Sequence, residues 1–300
     1  MALLTPMRAI VLSSMWGRSR RLPMFQVRTS KTSHSIFYVP TSPADNDTVQ
    51  IAVTHADVPQ LLHKLIVADG SIEHDSRVSA AEHLVHIAQT ADGPDHIITA
   101  VIEAEVVPQL VSYLSDSGAL RQHVVTLLAY ILRSQQTWNA ALDTQTIRLL
   151  VACLSDPVLG TQVDAACALA NITGAERGKQ KAVDAGAIPP LVVALGRPSC
   201  KLKKMAARAV RNIASIDAGR KAAYASNAVQ PLVALLDSRP LDNQVRYDAV
   251  KALSCIASLN KTARKAIRKQ GAFEKLTGIS TRNAPMEIQI VVAALRDKLR

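Results

Sequence analysis

Three groups of side chains have the types and spacing for chemistry, and each stops short of a site. Glu82-His83-x-x-His86 sets two imidazoles about one helical turn apart, within reach of a single metal ion. His63 and His74 could approach them, but the spacing fixes no third ligand, so satisfied or solvated histidines are expected and a metal is not. Every histidine precedes Val124, which confines any imidazole-based pH response to the N-terminal half. Cys153, Cys167, Cys200 and Cys255 contain no Cys-x-x-Cys pair, and they read as reduced thiols rather than a zinc knuckle or a redox couple. Gly174-Ala175-Glu176-Arg177-Gly178-Lys179-Gln180 looks faintly like a phosphate loop. It is one residue short between the glycines, and Gln180 stands where a magnesium-binding hydroxyl is needed. No nucleophile, base and orienting group fall into a recognisable set, so no catalytic residue, metal or cofactor is expected, and the chain reads as a non-enzyme.

The rest of the composition points to helices that pack rather than react. Apolar residues make up 48% of the 300, but aromatics only 3%. A core built from Ala, Leu, Val and Ile suits closely packed helices better than a sheet. No run of about 18 apolar residues occurs, so no membrane-spanning helix is expected. The net charge of +11 is unevenly spread. Residues 1–44 carry six basic and no acidic side chains, residues 45–183 a net of −8, and residues 184–300 a net of +13. Such partition implies different neighbours for different parts of the molecule. The first 44 residues are basic, rich in Ser and Thr, and broken by Pro6, Pro23, Pro40 and Pro43. That is the composition of a mitochondrial transit peptide or of a disordered tail, and residues 1–50 are set apart from the fold on this ground.

Residues 51–300 are repetitive. Val58-Pro59-Gln60-Leu61-Leu62 recurs as Val107-Pro108-Gln109-Leu110-Val111, Ile147-Arg148-Leu149-Leu150-Val151, Ile188-Pro189-Pro190-Leu191-Val192 and Val229-Gln230-Pro231-Leu232-Val233. A degenerate copy is Phe273-Glu274-Lys275-Leu276-Thr277, and the period is about 41 residues. Proline after the turn at Gly186 is the chemistry of one helix ending and the next beginning. About twenty residues after each anchor comes a second pattern: Ala168-Leu169-Ala170-Asn171-Ile172, Ala209-Val210-Arg211-Asn212-Ile213 and Ala252-Leu253-Ser254-Cys255-Ile256, with weaker copies ending at Ile87 and Ile131. A shorter helical stretch precedes each anchor, which makes three helices per unit. The segment Met286–Arg300 reads as a last amphipathic helix with Ile288, Val291, Val292, Leu295 and Leu299 turned inward as a cap.

Three helices per unit, with Gly-Ala-Ile-Pro-Pro-Leu-Val and Ala-Leu-Ala-Asn-Ile, closely resembles the armadillo repeat of β-catenin and importin-α. The resemblance implies an all-α, right-handed α-solenoid superhelix of about five repeats plus a partial sixth. It further implies a protein-binding scaffold or adaptor whose third helices line a groove. In the family the third-helix asparagine pins the backbone of an extended peptide, which here points to Asn171 and Asn212. One turn earlier, where importin-α carries tryptophans, stand Glu82, Thr126, Cys167, Arg208 and Lys251. Cations at that position would repel a basic nuclear-localisation peptide, so an import-receptor-like carrier is the weaker reading. Lys204 and Lys201 continue the stripe behind Arg208, and Tyr247 precedes Lys251 by a turn. An acidic, extended segment is the expected partner. Lys203 and Arg211 are expected to point elsewhere and to need no special role. Nucleic acid bound by the basic C-terminal half is the rival expectation, weakened by the scarcity of aromatic rings there. The resemblance implies a cytoplasmic or nuclear protein; a transit peptide at residues 1–44 would make it mitochondrial instead.

Overall fold

The structure, a computed structural model, describes residues 57–67, 74–90, 92–142, 145–236, 243–280 and 285–300. The chain divides into two units, and only the second, Ala44–Arg300, contains described residues; the expectations for residues 1–50 lie outside them.

Among the described residues every regular element is helical. The first unit shows α1 (Val58–Ile66) and α2 (His74–Ala88). Triplets follow: α3 (Gly93–Glu103), α4 (Val107–Ser112) and α5 (Ala119–Ile131); α6 (Trp138–Leu142), α7 (Thr146–Cys153) and α8 (Leu159–Ile172); α9 (Glu176–Asp184), α10 (Ile188–Leu195) and α11 (Cys200–Ile213). The last two are α12 (Asp217–Ala225), α13 (Val229–Ala234) and α14 (Asn243–Ala257), then α15 (Lys261–Lys269), α16 (Ala272–Ser280) and α17 (Met286–Leu299). Five full triplets and one pair result, and the short unit among the described residues is the first. The degenerate anchor at Phe273 opens the second helix of a complete triplet.

The anchor leucines Leu61, Leu110, Leu150, Leu191, Leu232 and Leu276 are all buried, one per unit, in a single core that runs the length of the stack. A unit alone would leave that leucine in water, at a cost of about 2 kcal/mol per side chain, so neighbouring units stabilise one another. Pro59, Pro108 and Pro189 sit in the first two positions of their helices, where the missing N–H leaves no bond unmade. The third helices α2, α5, α8, α11, α14 and α17 pack each against the next and form one layer. Their alanines (Ala165, Ala166, Ala206, Ala209 and Ala252) are fully buried and let the helices approach closely. On α17 the residues expected to face inward, Ile288, Val291, Val292, Leu295 and Leu299, are the buried ones.

Two backbone devices fix the joints. A β-carbon on Gly178 would lie 2.1 Å from the Ile172 carbonyl oxygen, and one on Gly219 would lie 1.9 Å from that of Ile213. No side chain fits there, so the first helix of each of these units sits directly on the end of the preceding third helix. The third unit places Thr137 at the same offset, and its hydroxyl donates to the Ile131 carbonyl at 2.9 Å. The second device is a left-handed turn between first and second helices: Gly186 has φ 68°, Gly271 73°, Asn227 57° and Glu105 52°. At Gly186 the turn closes with Gly186 N–H to Val183 O and Ala187 N–H to Ala182 O, both 2.9 Å.

Candidate binding groove on the third helices

The third helices are fastened by side chains that reach back one unit. Asn171 Nδ2 donates to the Ala129 carbonyl at 3.1 Å, across α5 and α8. Asn212 Nδ2 repeats the bond one unit later, to Ala170 O at 2.9 Å. In the last unit Lys298 stands in the asparagine's register, and its ammonium donates to Ser254 O at 3.3 Å. Asn171 is only 7% exposed. Among the described residues, only Asn171 of the two amides keeps its oxygen unbonded, because Asn212 Oδ1 accepts from Arg211 at 2.9 and 3.2 Å. The amide N–H of both asparagines therefore serves the stack first.

Cys255 occupies this register on α14, where no amide can reach back. There the joint is ionic instead. Arg211 donates to Asp248 Oδ1 at 2.5 Å, and Asp248 is fully buried. Gln244 Nε2 adds a bond to the same oxygen at 3.2 Å, while Asp248 Oδ2 has no hydrogen-bond partner among the described residues. Burial raises the Asp248 pKa above the ordinary carboxylate value of 3.8, and the Arg211 charge opposes that rise. The expectation that Arg211 has no special role is thereby corrected: it links Asn212 and Asp248 and holds two units together. Sequence spacing could not reveal this, since the partner lies 37 residues away on the next unit.

The remaining residues expected to line a groove are disposed as follows. Arg208 and Lys201 are exposed on α11, and Lys204 on the same helix is half-buried. Lys251 is half-buried on α14, with its ammonium 5.7 Å from the centre of the Tyr247 ring. This cation–π contact joins two residues singled out by their spacing. Arg208 acts electrostatically on Cys167 of α8 and on Asp248 of α14, which places it between the two neighbouring third helices. Lys201 acts likewise on Asp164 of α8.

A feature that the sequence reading passed over lies earlier in the stack. Thr126, Ala129, Tyr130, Arg133, Leu159, Val163, Asp164, Cys167 and Lys201 line an open depression of about 640 Å³ spanning α5, α8 and the start of α11. Thr126 Oγ1 donates to Asp164 Oδ2 at 2.5 Å. Burial raises the Asp164 pKa above 3.8, against the bond from Thr126 and the charge of Lys201. Leu159 is 51% exposed, unusual for a leucine in a helix otherwise buried on its apolar side. Its exposure was not readable from the pattern, because it falls at the helix start, before the periodic run. His83 and His86 are half-buried and exposed respectively, and no group of three or more His, Cys, Asp or Glu among the described residues is placed to hold a metal ion.

Stacked helical triplets with one shared core and a solvent-facing layer of third helices define a helical-repeat binding scaffold. The armadillo/β-catenin-like repeat model matches residues 176–215, the span of α9 to α11. A designed armadillo repeat protein superposes with a TM-score of 0.69 at 27% identity, over 81% of this chain and 100% of its own. An engineered protein gives 0.69 at 31% identity, over 81% and 96%. A further designed armadillo repeat protein, solved in complex with the peptide (KR)4, gives 0.66 at 28% identity, over 81% and 100%. No curated protein matches the sequence significantly. The chain belongs to the armadillo repeat family.

Proposed function

We propose that the chain is a non-catalytic scaffold or adaptor that holds an extended, acidic segment of a protein partner along its third-helix groove. One observation carries this reading: Arg208 and Lys251 occupy the same register on adjacent third helices, and neither is taken up by an ion pair among the described residues. Lys201 and Lys204 extend the positive surface toward α8, and Tyr247 supports Lys251 from below. The cations steer and select an acidic chain. Asn171, with its free amide oxygen, is the better placed of the two asparagines to accept an N–H from the ligand backbone; Asn212 acts mainly by positioning Arg211. A designed relative is seen with the cationic peptide (KR)4; the cations here favour the opposite charge.

The test is Arg208→Glu combined with Lys251→Glu, assayed by capture of an acidic peptide and by circular dichroism. Binding is expected to weaken by at least about thirtyfold with helicity unchanged. Undiminished capture would remove the groove from the function.

A second reading rests on a different surface. Helix α15 exposes Lys261, Lys265, Arg268 and Lys269, and no acidic residue occurs between Asp248 and Glu274. That face suits a phosphate backbone, bound without base stacking. Titration with duplex nucleic acid decides it, since retention at low ionic strength should fall steeply with salt, and no retention at low salt removes the reading.

A further inference from the structure

The depression between α5, α8 and α11 differs from the rest of the groove. The stretch at Arg208 and Lys251 offers chiefly charge, its one ring, Tyr247, being engaged by Lys251. The depression instead has apolar walls, Leu159, Val163 and the Tyr130 ring, with Arg133 and Lys201 at its rim and the Asp164 carboxylate among its lining groups. Leaving a leucine half in water has no structural return, and Leu159 is exposed where α8 begins, not where it packs. Among the described residues Asp164 accepts a single hydrogen bond, from Thr126, so acceptor capacity remains. A bare aliphatic side chain would cover the walls and leave that carboxylate unanswered. A lysine would answer the carboxylate but meet the two rim cations. An aromatic ring bearing its own donor satisfies all three features, because its rim packs on Leu159 and Val163, its faces are open to Arg133 and Lys201, and its N–H or O–H reaches Asp164.

We infer that this depression takes the side chain of a tryptophan or tyrosine carried by the same acidic segment that lies along the groove. The inference rests on the groove reading above. The ligand is then an acidic stretch with one aromatic anchor at a fixed distance from the acids that meet Arg208 and Lys251. Third helices stand about 10 Å apart, and an extended chain advances about 3.3 Å per residue, so each unit corresponds to roughly three ligand residues.

The experiment uses the full 300-residue chain and a fluorescein-labelled dodecapeptide of Asp, Glu, Ser and Gly as parent, with a set that moves a single Trp along it. Anisotropy titrations should show one register that binds roughly tenfold more tightly than the parent, with the other registers near it. Leu159→Ser should abolish that gain while leaving parent binding unchanged, and Asp164→Asn should weaken the preference for Trp over Phe in that register. If the parent binds and no register improves on it, or if the gain survives Leu159→Ser, the inference is overturned and the groove reading stands. If the parent itself fails to bind at low salt, the groove reading falls and the aromatic anchor with it.

Discussion

The joint between α8 and α11 and the joint between α11 and α14 meet one requirement by different chemistry. In the first, Asn212 reaches back with a neutral amide to Ala170 O. In the second, Cys255 stands in that register, and Arg211 pairs instead with the buried Asp248. A neutral amide costs little to bury when one good bond satisfies it. A buried carboxylate costs far more and is tolerable only while its cation stays in place. The two joints should therefore resemble each other when intact and differ sharply when broken.

The largest contrast comes from Arg211→Met. It leaves Asp248 charged, buried and unpaired, and chemical denaturation should show a loss of about 3 kcal/mol, the low end for a buried pair because Arg211 is partly exposed. Burial already holds the Asp248 pKa above 3.8 in the folded state, so its contribution is greatest when protonated, below 3.8, and is lost as pH rises through the folded value. The Arg211→Met penalty should accordingly shrink as pH is lowered toward 3.8; a penalty independent of pH would mean that the ion pair is not its origin. At the amide joint, Asn212→Ala should cost only about 1.5 kcal/mol and show a weaker pH dependence, because Arg211 loses its bonds to Asn212 but keeps its pairing with Asp248. Converting one joint into the other is subtler. Cys255→Asn supplies the missing amide and should add about 1 kcal/mol. In a double-mutant cycle it should recover part of the Arg211→Met loss, and strict additivity would show that the two fastenings are independent. The smallest effect lies away from both joints. Glu105→Gly relieves a left-handed residue at φ 52° and should stabilise by up to about 1 kcal/mol in the same denaturation assay.

The sequence was legible where chemistry repeats at one-unit intervals. The anchor leucines, the alanine-rich third helices and the inward face of α17 all lie where periodicity put them, because burial acts on every unit alike. Arg211 was misread for the opposite reason. Its partner belongs to the next unit, and which face of α11 meets Asp248 depends on the rotation between units, which no single helix encodes. The close approach at Gly178 and Gly219 was hidden in plain view, since a glycine near a helix start looks like any turn residue until its neighbour's carbonyl is seen. Glu105 and Asn227 hold turns that elsewhere carry glycine, so a search for glycine alone misses two of the four. The acidic partner and the roles of individual groove residues draw on charge and register, and the binding measurements decide them.

The back-reaching side chains of Asn171, Asn212 and Lys298 tie each unit only to the one before it. Under mechanical load such an array peels from a free end, one triplet at a time, instead of giving way at once. A single-molecule trace pulled from Arg300 should therefore be a staircase of similar steps. The step at the Arg211–Asp248 joint should match its neighbours in the intact chain, and Arg211→Met should turn it into the weakest tread at neutral pH.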